Sequence, residues 1–260
     1  MSEYLLSTSG LTKQFGHHKA VNNVDLHVKK GAIYGFIGRN GAGKTTFLKM
    51  ISGLSKPTEG EIQMFGYRNE ELKNVRSRIS GLIEAPGIYG NMSAYHNLAI
   101  KCRLFGINDS KYIENILKIV GLSEVGKKKT KHFSLGMKQR LGIGLALVGE
   151  PDLLVLDEPI NGLDPQGIAE IRDMLLRLKE EQNMTIIISS HILEELSKIA
   201  THYGIIHNGS LIQELTREEL MTRCSERMEL TLDEPKAALP ILDQMGFTNY
   251  QVVNQSTIHI

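Results

Sequence analysis

An α/β fold with a mostly parallel sheet is predicted by three features of this 260-residue sequence. Short apolar segments of strand character alternate with amphipathic segments of helical character along most of the chain. A glycine-rich segment, residues 38–45, lies between such a strand and such a helix. A second strand, residues 152–157, is apolar and ends in a carboxylate. Buried strands give continuous apolar runs, so both strands are expected inside the sheet.

The composition is that of an ordinary globular chain, with 41% apolar residues, 23% charged residues and a net charge of +1. Because no large basic surface is implied, nucleic acid is not expected as the main partner. Cys102 and Cys224 lack metal-ligand spacing and are expected to be free thiols in a reducing cytosol. Neither a secretory signal nor an apolar run of the roughly 18 residues that span a bilayer is expected.

The N-terminal region is predicted to form strands. Residues 5–8 give the first, and residues 24–28 alternate apolar and polar side chains as a half-buried strand does. A turn then leads into the apolar strand at 32–37, and a helix is expected from Thr46 to Ile51. Residues 60–66 form another strand between two glycines.

From about residue 92 to residue 147 the pattern becomes helical. Ser93 is the expected N-cap of a helix over 94–105, and Asp109 or Ser110 caps a helix that ends near Gly121. Ser134 caps a further helix to about residue 147. Since strands precede and follow this block, it is expected to be an insertion into the sheet.

The pattern then returns to a helix over 168–182 and a buried strand over 184–189. After about Glu214 a small β-α-β-β appendage is predicted, with the following elements: a strand at 228–232, a helix at 234–245 and strands at 251–253 and 257–260. A domain rarely stops in mid-strand, so the chain is expected to be truncated.

The glycine-rich segment fits the phosphate-binding pattern G-x-x-x-x-G-K-[ST] without a mismatch. In that setting, backbone N–H groups and a helix N-terminus converge on phosphate oxygens. Lys44 would reach the β- and γ-phosphates, and the Thr45 hydroxyl would hold Mg²⁺. The alternative, a glycine-rich turn that binds nothing, is disfavoured by the flanking strand and helix. The predicted nucleotide contacts are Gly38, Arg39, Asn40, Gly41, Ala42, Gly43, Lys44, Thr45 and Thr46.

Two adjacent carboxylates, Asp157 and Glu158, follow the second apolar strand. There Asp157 can hold Mg²⁺, directly or through water, and Glu158 can polarise an attacking water. The alternative is a strand followed by a capping turn.

Between these motifs lies Phe133-Ser134-Leu135-Gly136-Met137. With the phosphate loop and the carboxylate pair, this segment resembles the signature of ABC transporter ATP-binding subunits, usually L-S-G-G-Q. It keeps Ser134 and Gly136 and departs at the other three positions. The resemblance implies that these two residues contact the γ-phosphate held by the opposite subunit.

Other positions follow in the order of the family. Asn161-Gly162-Leu163-Asp164 resembles the D-loop, which crosses between subunits, so Asp164 is an expected contact. His191 resembles the switch histidine at the γ-phosphate. Phe15 resembles the aromatic residue that stacks on adenine, where the family more often has tyrosine. The implied catalytic residues are thus Glu158, His191 and Lys44.

Glu84 stands where the family has a glutamine that bonds Mg²⁺ or the nucleophilic water. A carboxylate can also ligate Mg²⁺, so the predicted metal ligands are Thr45, Glu84 and Asp157. This departure resembles the subgroup that exports bacitracin or gives self-protection against lantibiotics. Neutral drift at this position is the alternative.

The resemblance implies a RecA-like phosphate-loop ATPase core with an N-terminal antiparallel β portion and an inserted α-helical subdomain, to which the residue pattern adds a small C-terminal α+β appendage. The expected domains are 1–218, with the helical subdomain at about 88–147, and 219–260. Two copies would bind two ATP molecules and Mg²⁺ head to tail and power export of an antimicrobial peptide or drug. Transmembrane permease subunits are the expected partners, which places the chain peripherally on the cytoplasmic face of the membrane.

Two other function classes remain open from the sequence. One is a soluble ABC-type ATPase that acts on DNA, ribosomes or cofactor assembly, although the chain has neither two ATPase units nor long coiled coils. The other is a phosphotransferase, which would need an acceptor site and would leave the signature and D-loop segments without a purpose. Free phosphate as the product of ATP supports the transporter, whereas a phosphorylated small molecule supports the phosphotransferase.

Overall fold

The fold was obtained as a computed structural model that describes residues 4–223, 229–247, 250–254 and 256–259. Cys224 lies outside these residues, whereas Cys102 is a buried free thiol. The chain divides into two compact units, Met1–Arg217 and Glu218–Ile260. Within the described residues, no helix is long and apolar enough to cross a membrane.

Strands of the larger unit form two sheets. They are β1 (Tyr4–Phe15), β2 (His18–Lys29), β3 (Ile33–Ile37), β4 (Glu59–Met64), β5 (Tyr67–Arg68), β6 (Ile79–Leu82), β7 (Leu153–Asp157), β8 (Thr185–Ser190), β9 (His202–His207) and β10 (Ser210–Thr216). The first sheet has the order β2-β1-β4-β5 and is antiparallel. In β2, Val24, Leu26 and Val28 are buried between exposed Asp25 and His27, which confirms the predicted half-buried strand.

The second sheet has the order β10-β9-β3-β8-β7-β6. Its strands are parallel except for β10, which pairs antiparallel with β9. Every residue of β7 and β8 is buried, as expected for central strands covered on both faces. The mostly parallel sheet predicted from the apolar runs is therefore confirmed.

Helices of the larger unit are α1 (Lys44–Ile51), α2 (Ala94–Leu104), α3 (Ser110–Ile119), α4 (Leu135–Leu147), α5 (Pro165–Gln182) and α6 (Leu193–Ser197). Short 3-10 helices cover Asn69–Arg78, Ser123–Val125 and Thr130–His132. The core joins α1 to both sheets, and the rings of Phe47 on α1 and Phe36 on β3 are 4.9 Å apart. Each buried side chain of this kind stabilises the fold by about 1.5–3 kcal/mol. The core therefore holds α1 in place, and with it the loop at the N-terminus of the helix.

Side-chain caps set the starts of the three helices between β6 and β7. Ser93 Oγ accepts from His96 N at 3.3 Å, and Asp109 Oδ1 accepts from Lys111 N at 2.8 Å. Ser134 Oγ accepts from Met137 N at 3.2 Å. The caps predicted at Ser93 and Ser134 are confirmed, and of the two candidates for α3 the cap is Asp109.

Two helices begin earlier than the sequence predicts. α1 starts at Lys44 and not at Thr46, because helical geometry begins directly after Gly43. α5 starts at Pro165 and not at residue 168, because Asp164 caps it with an acceptor for Gly167 N at 3.1 Å. Proline suits this first helical position, where its missing N–H loses no hydrogen bond.

The smaller unit contains most of α7 (Arg217–Arg223), then β11 (Glu229–Thr231), α8 (Pro235–Gln244), β12 (Gln251–Val252) and β13 (Thr257–His259). The three strands form an antiparallel sheet in the order β11-β13-β12. The predicted strand-helix-strand-strand order is confirmed for the described residues, and α7 is an addition to it.

Candidate nucleotide site

The phosphate loop connects β3 to α1 and has a left-handed backbone at two of its glycines. Gly41 and Gly43 have φ values of 81° and 106°, in the left-handed region that favours glycine. A Cβ on Gly43 would also lie 2.3 Å from the Ala20 carbonyl oxygen. Gly43 is the N-cap of α1 and has no side chain that could cap the helix. The backbone N–H groups of its first turn can therefore bind an anion.

Neighbouring backbone holds this loop in place. Gly38 N donates to Ser190 O at the end of β8 at 3.3 Å, and Gly209 N donates to Ala42 O at 2.9 Å. Gly209 lies in the turn between β9 and β10 and accepts from Asn22 N of β2 at 2.8 Å. The loop conformation is therefore fixed by both sheets before any ligand binds.

Lys44 is buried and points back into the loop. Its Nζ donates to Gly38 O at 2.7 Å and to Arg39 O at 3.2 Å, and it lies 3.1 Å from Glu158 Oε1. Only 6% of the Lys44 side chain is exposed, so its charge acts in a poorly solvated environment. An anion placed in the loop would compete with Glu158 for this ammonium group.

Asp157 accepts hydrogen bonds at both of its carboxylate oxygens. Thr45 Oγ1 donates to Oδ2 at 2.7 Å, and Ser189 Oγ donates to Oδ1 at 2.6 Å. The predicted pair of Thr45 and Asp157 is thus brought together. Ser189 was missed by the sequence reasoning, although its place two residues before His191 at the end of an apolar strand was a usable signal.

Glu158 joins Lys44 to His191. His191 Nδ1 lies 2.9 Å from Glu158 Oε2, and since a carboxylate only accepts, Nδ1 carries the hydrogen. Glu158 Oε1 is buried and, within the described part of the chain, receives no hydrogen bond, so its approach to Lys44 is an ion pair only. This oxygen can therefore accept a proton from a water molecule.

The oxygen donors at Thr45 and Asp157 fit a magnesium ion. Mg²⁺ prefers hard oxygen ligands and usually takes one or two from the protein, with water and phosphate oxygens completing its shell. Among the residues that the structure describes, no cluster of three or more His, Cys, Asp or Glu side chains forms a site made of protein ligands alone. Two protein donors of this kind would leave room for water and a phosphate ligand around such an ion.

Glu84 lies outside this hydrogen-bonded group. Its side chain is 63% exposed and pairs with Lys49 near the end of α1, and its φ is 65°. Across the described ranges, no hydrogen bond joins Glu84 to Thr45 or Asp157. Its role as a metal ligand stays a prediction.

Four other predicted contacts are also separate from the group around Lys44. Phe15 ends β1 with 55% of its surface exposed, and Lys13 Nζ lies 5.1 Å from its ring centroid. Asp164 caps α5, whereas Ser134 is exposed and caps α4. As far as the structure describes the chain, no hydrogen bond or ion pair connects Ser134 or Gly136 to the phosphate loop.

The signature and D-loop segments lie next to one another within the chain. A Cβ on Gly162 would lie 3.4 Å from Leu135 Cδ2, and one on Gly136 would lie 3.8 Å from Leu163 Cδ2.

Comparison with known proteins gives the following likenesses. The family model described as "ABC transporter" matches residues 21–161. Bacitracin transport ATP-binding protein BcrA of Bacillus licheniformis is 44% identical over 98% of this chain and 84% of its own length. Lantibiotic transport ATP-binding protein SrtF of Streptococcus pyogenes is 43% identical over 81% of this chain and 90% of its own length.

Solved structures agree with this result. A nucleotide-free ATP-binding cassette from an ABC transporter has a TM-score of 0.76 at 28% identity, covering 86% of this chain and 96% of that one. A dimeric ATP-binding cassette in a post-hydrolysis state, bound to ADP and phosphate, has a TM-score of 0.72 at 25% identity, covering 82% and 98%. These likenesses confirm the predicted fold class, a RecA-like phosphate-loop core with an antiparallel N-terminal β portion.

Proposed function

This chain belongs to the ABC transporter family, and from that premise we propose that it binds and hydrolyses ATP to power export of an antimicrobial peptide. One observation carries the proposal: the group around the buried Lys44 joins the phosphate loop to two carboxylates and a histidine by contacts of 2.6–3.3 Å. A glycine-rich turn without a ligand has no use for such a group.

ATP would bind with its triphosphate in the phosphate loop. The N–H groups of the loop and of the first turn of α1 donate to phosphate oxygens, and Lys44 supplies a positive charge at the β- and γ-phosphates. Phe15 is exposed, so its ring can stack on adenine. Thr45 and Asp157 would hold Mg²⁺, which neutralises charge on the phosphates when it is bound.

Hydrolysis would use Glu158 and His191 without a covalent intermediate. Water attacks the γ-phosphorus in line while the bond to the β–γ bridging oxygen breaks, which gives ADP and phosphate. Glu158 Oε1 accepts the proton of the attacking water, and a positioned base of this kind contributes about 10²–10⁴-fold to the rate. His191 donates its Nδ1 hydrogen to Glu158 Oε2 and so holds the base in place.

A second copy of the chain would complete each site. Ser134 is exposed, and no contact brings it to the phosphate loop of its own chain within the described residues. At Gly136 even an added Cβ would have room within the chain, so the backbone there can approach a ligand closely. The likeness to a dimeric cassette with ADP and phosphate supports two ATP molecules shared between two copies.

Transport would depend on separate transmembrane permease subunits, with this chain peripheral on the cytoplasmic face of the membrane. The names of BcrA and SrtF support bacitracin or a lantibiotic as the class of substrate.

Complementation in the organism that encodes the chain tests this function. Deletion of the chain should lower the minimal inhibitory concentration of bacitracin or of a lantibiotic, and the wild-type gene should restore it. Lys44→Ala, expressed at the same level, should not restore it, because the triphosphate loses its main cation. Unchanged susceptibility after deletion of the chain and its permease would refute peptide export, and phosphorylation of a small molecule in place of free phosphate would refute the ATPase.

A further inference from the structure

We propose that Ser189 is a positioning residue that holds the carboxylate of Asp157 and the backbone of Glu158 and is needed for magnesium-dependent binding of ATP. The inference rests on the proposed function, and it adds a residue to which neither the motifs nor the comparisons give a role.

The hydroxyl of Ser189 makes two hydrogen bonds. Its Oγ donates to Asp157 Oδ1 at 2.6 Å and accepts from the backbone N–H of Glu158 at 2.9 Å. A hydroxyl carries one hydrogen and two lone pairs, so both bonds form at once with the correct polarity. Ser189 is fully buried, so water does not compete for either bond.

Strand pairing fixes where this hydroxyl lies. Asp157 and Ser189 are partners in the parallel register of β7 and β8, two central strands. Thr45 takes the other oxygen of Asp157, so hydroxyl donors from two different elements orient one carboxylate. While Asp157 keeps this orientation, Thr45 Oγ1 donates its hydrogen to the carboxylate, and the lone pairs of that oxygen can face a cation.

Glu158 depends on the same hydroxyl. Its φ of 47° lies in the left-handed region, which a non-glycine residue adopts only when its surroundings hold it there. The bond from Glu158 N to Ser189 Oγ is such a restraint. Ser189 therefore sets the side chain of Asp157 and the backbone of Glu158 together.

A purely structural role would make a different prediction. In that case the loss of the hydroxyl would lower stability and weaken ATP binding equally with and without magnesium. A positioning role predicts a loss confined to the magnesium-bound complex, because only there must the two carboxylates keep their places. Partners that orient metal ligands typically change metal affinity or activity about 10–100-fold when they are removed.

Isothermal titration of the full chain with ATP separates these roles. The magnesium gain is defined as the Kd for ATP in EDTA divided by the Kd in MgCl2. Ser189→Ala should lower this gain about tenfold relative to wild type, with the Kd in EDTA changed less than threefold. In phosphate release, the half-saturating free Mg²⁺ should rise by a similar factor. A magnesium gain in Ser189→Ala equal to that of wild type would overturn the inference, as would a wild-type gain near one.

A matched pair of variants tests the hydroxyl itself. Ser189→Thr keeps the hydroxyl, whereas Ser189→Val lacks the hydroxyl and has nearly the shape of the threonine variant. The threonine variant should stay closer to wild type in magnesium gain, and equal losses in both variants would contradict the proposed role.

Thr185→Val controls for general damage to β8. Thr185 is buried on the same strand, about 13 Å away at about 3.3 Å per residue, and its hydroxyl accepts from Gly31 N. This variant should lower Tm and leave the magnesium gain unchanged, whereas a reduced gain would overturn the assignment to Ser189. If the wild-type chain binds no ATP, the proposed function itself is refuted. If Ser189→Ala instead binds ATP and magnesium as wild type does, only the role of Ser189 is refuted.

Discussion

Replacing Glu158 with glutamine should strengthen ATP binding while it abolishes most hydrolysis. The amide has nearly the size of the carboxylate, and its oxygen can still accept from His191 Nδ1. It removes the negative charge that lies 3.1 Å from Lys44 Nζ. Binding and chemistry are therefore expected to change in opposite directions.

The size of each effect follows from the geometry. At an effective dielectric constant of about 20, two unit charges at this separation attract by roughly 5 kcal/mol, most of which desolvation offsets. If about 1 kcal/mol remains, its loss frees Lys44 for the phosphates and lowers the Kd for ATP about fivefold. An amide cannot take the proton of the attacking water, so kcat should fall about 10²–10⁴-fold.

Nucleotide titration in EDTA and phosphate release in excess MgCl2 measure the two effects separately. Glu181→Gln, the same change at an exposed position of α5, serves as the control and should behave as wild type in both assays. If Glu158→Gln keeps more than a tenth of the wild-type kcat, Glu158 is not the base. With ATP and MgCl2 the variant should also accumulate as a dimer in gel filtration, and a persistent monomer would contradict the shared site.

Three further predictions concern other residues. Glu84→Gln breaks an exposed ion pair with Lys49, so the free energy of unfolding should change by less than about 0.5 kcal/mol. If Glu84 lies near the bound metal, the Mg²⁺ concentration that half-saturates phosphate release should shift severalfold. An unchanged magnesium titration would show that Glu84 is not part of the site. Gly136→Ala adds a Cβ that meets no atom closer than 3.8 Å within the chain, so the urea midpoint of unfolding should be unchanged or slightly higher. ATP-dependent dimerisation should weaken at least tenfold, and an unaffected dimer would place Gly136 outside the interface. Tyr34→Phe removes a partly buried hydrogen bond to Glu214 at 2.7 Å and should cost about 1–3 kcal/mol in urea unfolding at pH 7. Burial raises the pKa of Tyr34 well above its usual value, so this hydroxyl ionises at lower pH in the unfolded chain than in the folded one. The wild-type protein should therefore lose stability as pH rises above about 10. The phenylalanine variant should lack the part of this loss that comes from Tyr34.

Local patterns in the sequence were sufficient for the elements that carry the site. β7 is a continuous apolar run that ends in Asp157, and Ser93 and Ser134 are followed by residues of helical period, so each could be recognised without knowledge of its neighbours. The phosphate loop is equally local, because its conformation depends on Gly41 and Gly43.

Contacts between distant segments could not be predicted in the same way. Ser189 acquires its importance from the register of β8 against β7. Its place near His191 at the end of a strand indicates a site, but it does not show which residue of β7 lies opposite. The pairing of Glu84 with Lys49 likewise depends on where α1 lies. β9 was overlooked because Gly204 interrupts its apolar pattern, and the structure gives the reason: a Cβ there would lie 2.4 Å from the Tyr34 hydroxyl oxygen.

The tight packing of the phosphate loop has a consequence for saturation mutagenesis. At Gly43 any side chain would collide with the Ala20 carbonyl oxygen, and at Gly38 a Cβ would lie 2.6 Å from Ile206 O. Substitutions at these glycines should therefore reduce the cellular abundance of the protein, as is expected for a buried core residue such as Leu48. Substitutions at Lys44 should instead reduce activity at normal abundance. Gly38 and Gly43 belong to the phosphate-binding motif, but selection for folding alone would thus be enough to retain them.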